Sequence, residues 1–241
     1  MGAQVLTDAL VLVNGADFSG QSNKVDVSGE VEALDATTFV SAGWKEVAAG
    51  LGSHEWSVEG FWAAGDYVKP DDRLWADLGV RAAWSASAAA AEGSVAYLGS
   101  VMSGSFKVGG DVGSLAPFTA AGKGSGPVSR GMLLCSPGTA RTATGQTTGR
   151  QMGAVGAAQT LFGALHVCSV AGSTPSVAVK IQSSATQGGS YTDRLTFFPA
   201  DAQGSQLLSS PGAVTDTWWR AQFTISGDSP SFLLAVAAGV K

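Results

Sequence analysis

Charge is scarce in this chain. Asp, Glu, Lys and Arg make up 14% of its 241 residues, against roughly 25% in ordinary soluble domains. A surface so poor in charge suits burial against other copies, because subunit interfaces are depleted of charged side chains. The 14 basic residues are outnumbered by 19 acidic ones, for a net charge of −5. That balance argues against tight binding to nucleic-acid phosphates, which needs clustered cations. It is compatible with DNA passing without adhering, since a mildly acidic wall repels phosphate.

Cysteine and histidine are nearly absent. Cys135 and Cys168 are the two cysteines, too few for a disulfide framework, and the expectation is buried, reduced thiols. His54 and His166 are the only imidazoles, so a nucleophilic hydrolase has few possible bases, and no Gly-x-Ser-x-Gly elbow occurs. Gly227-Asp228-Ser229-Pro230 looks superficially like a hydrolase block, but its place between apolar runs reads as a hairpin turn. The cysteines stand 33 residues apart and no Cys-x-x-Cys or His-x-x-x-His occurs, so no metal site is expected. Gly122-Lys123 is followed by Gly124 and makes no P-loop. No catalytic residue and no cofactor are expected. Long apolar runs are missing too. The longest, Phe232 to Val240, is strand-sized, so no membrane insertion is expected. The first residues carry no charged and apolar regions of a secretion signal, so none is expected.

Alternation with a period of two is what the chain does have. Val25, Val27, Gly29, Val31 and Ala33 alternate with Lys24, Asp26, Ser28, Glu30 and Glu32. That pattern gives a strand with one core face and one acidic face. Val177, Val179 and Ile181 alternate with Ala178, Lys180 and Gln182, and Trp219, Ala221, Phe223 and Ile225 with Arg220, Gln222 and Thr224. Asn14-Gly15, Gly109-Gly110, Gly188-Gly189 and Ser210-Pro211-Gly212 mark turns. Helix is expected only at Pro70 to Leu78, opened by Pro and two Asp and closed before Gly79. Ser85 to Ala91 is Ala-rich and reads as a second short helix or a loop. The fold class is therefore all-β, with one or two short helices.

Glycine-rich stretches at Ala120 to Gly126 and Ser136 to Gly149 suggest a division into 1–125, a linker at 126–150, and 151–241, as two tandem β-sandwich or barrel-type domains. The two halves also echo each other. Asp35-Ala36-Thr37-Thr38-Phe39 matches Asp193-Arg194-Leu195-Thr196-Phe197. Trp56, Phe61, Gly65 and Asp66 match Trp218, Phe223, Gly227 and Asp228 at identical spacing. A duplication of one supersecondary plan would produce this. Of the seven tryptophans, Trp56, Trp62 and Trp219 fall on apolar faces and are expected in the core. Trp44, Trp75 and Trp218 are candidates for contact surfaces, and Trp218 with Arg220 for an interface anchor.

The order of these features resembles the major tail (tail tube) proteins of long-tailed bacteriophages, of the actinophage type. The resemblance rests on the strand from Val25, the corner Leu34-Asp35-Ala36-Thr37-Thr38-Phe39 and Ala49-Gly50-Leu51. In the second half it rests on Ala164-Leu165-His166-Val167, Ser173-Thr174-Pro175-Ser176, Gln182-Ser183-Ser184, Thr215-Asp216-Thr217-Trp218-Trp219-Arg220 and Ser229-Pro230-Ser231-Phe232. It implies a non-enzymatic subunit of the virion tail, present in the host cytoplasm before assembly. Its rings would stack with other tail proteins into a conduit for DNA ejection, with DNA as passing cargo. The loop from Val40 to Gly52, with Trp44, Lys45 and Glu46, would then be a ring-stacking arm. Glu30, Glu32, Lys180 and Gln182 would be lumen candidates. Single-domain tube subunits form hexamers, so two tube-type halves would make a trimeric ring. The alternative reading is a carbohydrate- or receptor-binding β-sandwich.

Overall fold

The structure is a computed structural model that describes residues 6–66 and 68–241. The chain is all-β. It runs β1 (Leu10–Val13), β2 (Ala16–Asp17), β3 (Ser22–Asp35), β4 (Val47–Phe61), α1 (Pro70–Ala76), β5 (Arg81–Ser87), β6 (Val95–Val108), β7 (Pro117–Gly124), β8 (Ser129–Cys135), β9 (Gly145–Gln146), β10 (Arg150–Gln151), β11 (Thr160–Ser184), β12 (Thr192–Thr196), β13 (Gly204–Pro211) and β14 (Trp218–Val240). All of the strand pairs between these elements are antiparallel. The helix forms where Pro, Asp71 and Asp72 open it, and it stops short of Gly79, which adopts φ +80°. Ser85 to Ala91 holds no helix. Ala82 to Ser87 lies in β5, because Trp84 and Ala86 alternate into the core while Ala83 and Ser85 face the second half. Alanine fits either period, and tertiary burial decides.

Two long strands build the second half. β11 and β14 pair along almost their whole length, from Leu161↔Val240 to Ser184↔Trp218, with register shifts between Val167 and Ser176. At those shifts Gly172, Thr174, Gly227 and Ser229 all take positive φ, so the ladder turns a corner there. Both of its limbs then contribute to one core, with Leu161, Leu165 and Val167 from one and Val177, Val179 and Ile181 from the other. Gly227-Asp228-Ser229-Pro230 is accordingly a bend inside one continuous strand, not the hairpin turn its composition suggests.

The segment expected to be a linker is part of the fold. Ser129–Cys135 pairs with both β14 and β6, and Leu133, Leu134 and Cys135 are buried. Its flanking glycines hid a strand that bridges the halves. Both cysteines are free and buried.

The halves are joined by a buried polar contact. The Asn14-Gly15 turn between β1 and β2 sits against β11 and β13. The Gly15 amide donates to His166 Nδ1 at 3.3 Å, so Nε2 carries the proton and donates to Ser85 Oγ at 2.9 Å. Ser205 Oγ donates to Asn14 Oδ1 at 3.0 Å and accepts the Ala83 amide at 3.1 Å. Asn14 Nδ2 donates to the Asp77 carboxylate, which also accepts Arg73 Nε at 2.8 Å. Gly15 has φ +82°, and a Cβ there would lie 2.5 Å from the Gly204 carbonyl oxygen. Replacing it therefore costs both backbone strain and a clash with another backbone.

Two predictions follow from this joint. Gly15→Ala should destabilise the chain by at least about 2 kcal/mol in denaturant titration. Burial lowers the His166 pKa from 6.5 to about 3, so below pH 6.5 the unfolded chain takes up a proton that the folded chain refuses. Stability should be intact above that pH and fall as pH drops toward 4.5, by at most about 1.4 kcal/mol per pH unit from this residue. His54, whose pKa burial also lowers, acts in the same direction. The slope should shrink in His166→Gln when unfolding midpoints are compared between pH 7 and 4.5.

Candidate assembly surface

A four-stranded sheet in the first half carries the features that demand a partner. Its order is β3-β4-β7-β6, with rows such as Val25↔Val58↔Ala120↔Phe106 and Lys24↔Glu59↔Thr119↔Lys107. The first row faces inward. Trp56, Val58, Phe118 and Ala120 are buried, with Val25, Val27 and Phe106 packed against them. Trp56 lies edge-on to Trp84, with ring centroids 6.5 Å apart.

The second row faces out and is mostly polar, with Ala121 and the exposed Met102 on the same face. Asp26, Glu30, Glu32, Glu55 and Glu59 share it with Lys24, Lys107 and Lys123, an acidic excess of two. Lys24 is held by Asp26 and Glu59, each at 3.0 Å, and Lys123 by Glu55 at 2.9 Å. Hydrogen bonds to those carboxylates hold both lysines above their usual pKa. Glu30 and Glu32 have no ion-pair partner among the described residues. The face is slightly concave, with a hollow of about 490 Å³ lined by Asp26, Ser57, Ser105, Ala121 and Lys123 among others.

Both edges of this sheet are open. β3 pairs only with β4. On its other edge, β6 is paired by β5 as far as Met102, and Ser103 exchanges backbone hydrogen bonds with Val80 and Gly79. From Gly104 to Val108 only the β7 side is occupied. An open edge is a row of unpaired amides and carbonyls that templates another chain.

Beyond β7 the first two strands continue alone. β7 reaches only Glu55, whereas β3 and β4 stay paired to Asp35↔Val47. Gly29–Asp35 thus carries a two-stranded ribbon roughly 24 Å past the sheet, at about 3.4 Å per residue. Its apolar side chains meet no core: Val31, Leu34, Val47 and Leu51 are exposed, Leu51 to 83%. The tip is nonetheless ordered by its own hydrogen bonds. Asp35 accepts the Thr37 amide at 2.9 Å, which with the Thr37 side chain holds its carboxyl below the usual range. Thr37 Oγ1 accepts the Glu46 amide at 3.0 Å, and Ser41 Oγ accepts the Thr38 amide at 2.9 Å. These polar residues build the corner, and Phe39, Val40 and Trp44 project from it into solvent.

At the opposite end of the same sheet lies a second exposed apolar group. Phe61 and Trp62 end β4, and the β6–β7 turn presents Val108, Val112 and Leu115. Trp62 is 46% exposed, so it is not the core residue its flanking pattern suggests; it stands one residue beyond the strand, where alternation no longer sets its direction. Among the described residues, all of the exposed large apolar side chains except Phe198 lie at or before Leu115. The second half is water-facing by comparison.

The other expected site residues fall elsewhere. Lys180 and Gln182 lie on the outer face of β11 and share Asp193, each at 2.6 Å. That strand's neighbours are β12, β13 and β14, so the structure does not bring them beside Glu30 and Glu32. Arg220 is occupied within the chain, donating to Gln182 at 2.9 Å and stacking 3.9 Å from the Tyr191 ring, and Trp218 is half-buried. Lys45 stands 3.9 Å from Asp35, and Trp44 is 80% exposed. The echoed motifs are not equivalent in space. Phe39 is exposed while Phe197 is buried, Phe61 is exposed while Phe223 is buried, and Asp193 lies within β12 where Asp35 ends β3. The open edge of β6 and the apolar β6–β7 turn were missed in the sequence, although Val112 and Leu115 in a Gly-rich turn were the available signal.

No protein-family model matches this chain, and no curated protein matches it. Solved structures are similar over part of their geometry. One is a chain of the virion of a native gene transfer agent particle, 22% identical with a TM-score of 0.44, covering 53% of this chain and 98% of that one. Another is the SPP1 tail tube, 10% identical with a TM-score of 0.40, covering 51% and 74%. A third is the SPP1 Dit protein, 12% identical with a TM-score of 0.34, covering 95% and 98%.

Because the Phe39 and Trp44 side chains are largely exposed, truncating them should leave folding intact. Phe39→Ser combined with Trp44→Ser should change unfolding free energy by less than about 0.5 kcal/mol. The same variant should sediment as a smaller species than the unaltered chain at equal concentration.

Proposed function

We propose that the chain is a structural subunit of a phage tail tube, forming rings that stack into a conduit for DNA. The observation that carries this is the four-stranded sheet, polar on one face and open at both edges. Its strands alternate in direction, so β3 at one edge runs opposite to β6 at the other. The β3 of one copy can therefore meet the β6 of the next in ordinary antiparallel pairing. Repetition around an axis closes the sheet into a barrel and removes both edges. A contact of this head-to-tail kind gives a ring when its rotation closes.

The polar face then lines the lumen. Its excess of carboxylates, with Glu30 and Glu32 unneutralised, disfavours adhesion of DNA phosphates and suits passage of the duplex. Lys180 and Gln182 take no part in this lining. The resemblance to tail tube proteins in the order of the Asp35–Phe39 corner and the following strand supports the same reading, as does the low charge of the chain.

Ring size follows from the number of such sheets per chain. The second half also leaves edges at β12 and β13, which pair only with β11, but it exposes no ribbon of large apolar side chains like that of the first half. The second half folds as a bent ladder with no counterpart to it, so the reasoning that gave a trimer loses its basis. One tube-type unit per chain gives a hexamer. Negative-stain electron microscopy of the purified chain, or of tails that contain it, tests this directly. Rings of sixfold symmetry are expected. Threefold rings with one chain per unit would restore the trimer, and monodisperse monomers that bind a glycan would overturn the tube reading itself.

A further inference from the structure

We infer that Lys107 on β6 of one copy pairs with Glu30 on β3 of the next, and that this ion pair fixes the register in which the two sheets join. The inference rests on the tube reading for the joint itself and adds its register, which neither open edge specifies alone.

Both charges are free within one chain. Neither Glu30 nor Lys107 has an ion-pair partner among the described residues, whereas Lys24 and Lys123 are held by carboxylates of the same face. Lys107 shares its row with Lys24, through Thr119 and Glu59. Joining copies without an offset would set Lys107 against Lys24 of the next copy, and like charges directly opposite repel.

Backbone direction limits the offsets. The Phe61 amide donates to the Gln21 carbonyl at 2.9 Å and the Trp62 amide to the Ala116 carbonyl at 2.8 Å. Odd residues of β4 therefore aim their backbone groups at β3, and even ones at β7. Carried across the ladders, this alternation aims the backbone groups of Val25, Val27, Gly29 and Val31 out of the β3 edge, and those of Phe106 and Val108 out of the β6 edge. An offset by an odd number of residues leaves these groups unmatched and breaks the polar face. The candidates opposite Lys107 are thus Asp26, Ser28, Glu30 and Glu32.

Strand tilt chooses among them. Four strands at about 4.8 Å spacing span about 19 Å per copy. Barrel strands tilted by about 35–45° then slip by about 13–19 Å per copy, or about four to six residues. Seen from the core with β4 pointing up, the backbone groups of Val58 point right, towards β7, so β6 and the next copy follow on that side. The right-handed twist of strands displaces that copy upward, which brings residues later than Lys24 opposite Lys107. Ser28 and Glu30 meet the required slip, and Glu30 carries the charge. Asp26 slips too little and is already held by Lys24 at 3.0 Å. Glu32 slips too far and abuts the register shift between Val31 and Ala33. The same register sets Val31, which is 59% exposed in the single chain, beside Phe106. It makes Lys107 and Glu30 a non-hydrogen-bonded pair, in which facing side chains stand closest. Glu32 remains a free carboxylate of the lumen face.

Charge exchange and cross-linking test the register. Glu30→Lys and Lys107→Glu each set like charges across every joint. Each should raise the concentration for half-assembly, read by sedimentation velocity, by about fivefold or more. The double variant should return it to the unaltered value. A mixture of the two single variants should recover as well, because a ring with an even number of copies can alternate them. Single variants that assemble like the unaltered chain would overturn the inference, as would failure of the double variant to recover. In a second measurement, Lys107→Cys chains are mixed with Glu30→Cys, Ser28→Cys or Asp26→Cys chains, allowed to assemble and oxidised. The native thiols are both buried. The mixture with Glu30→Cys should give the highest yield of linked pairs. A higher yield with Ser28→Cys or Asp26→Cys would overturn the register and leave the tube reading standing, whereas absence of any ring from the unaltered chain would sink both.

Discussion

Backbone hydrogen bonding is the constraint on which this structure turns. A strand edge left in water is tolerable, but one left open, flat and long recruits other chains. Natural proteins blunt such edges with proline, bulges or inward charges. β3 has no proline, and between the register shifts at Ser22/Lys24 and Val31/Ala33 its apolar and polar residues alternate along the exposed edge. The opposite edge, on β6 from Gly104 to Val108, is equally uncovered. The mostly polar outer face, the small residues along it and the ribbon that outruns its neighbours accompany these open edges.

The second half answers a different problem. Its core is closed by one long ladder that bends over itself at paired positive-φ sites, so its apolar residues are consumed internally. It is fixed to the first half by a chain of hydrogen bonds running from buried Arg73 and Asp77 through the half-buried Asn14 and Ser205, with buried His166 beside it. Buried polar groups that are fully paired specify one arrangement of the elements that carry them. The β8 strand adds backbone pairing to both halves. The two are thus joined by backbone pairing as well as by side-chain hydrogen bonds.

Much of this could be read from residue order, and the limits have physical causes. The alternation of Val25 and Val27 with Lys24 and Asp26 located β3 and told its two faces apart. Pro70 and Gly79 bounded the helix. The Asp35–Phe39 corner was recognisable as a feature, but its role was not: only the geometry tells that Asp35, Thr37 and Ser41 hold the turn while Phe39 points away. Its echo at Asp193–Phe197 sits in a different setting, because equal spacing cannot distinguish a corner from a strand interior. Ser85 to Ala91 was ambiguous since alanine satisfies both periods. Gly227 and Asp228 look like a turn because a corner in a strand needs the same positive φ that a turn does. The open edge of β6 could not be seen at all, since an edge is defined by which strands are missing beside it.

The ribbon and the open edge belong to one strand, which in the proposed tube would couple two steps of assembly. β3 runs unbroken from Ser22 to Asp35, with its first part at the sheet edge and its second part in the arm. Before lateral pairing, the arm is held only by its ladder with β4 and by the hydrogen bonds of its tip. Once β3 pairs with a neighbouring copy along the edge, the root of the arm is fixed on both sides and its remaining freedom falls. Less conformational entropy is then lost when the tip seats on another ring, so the second contact strengthens with no new contact of its own. Ring closure should thus favour stacking, and a lone chain, whose arm keeps its freedom, has the weaker tip.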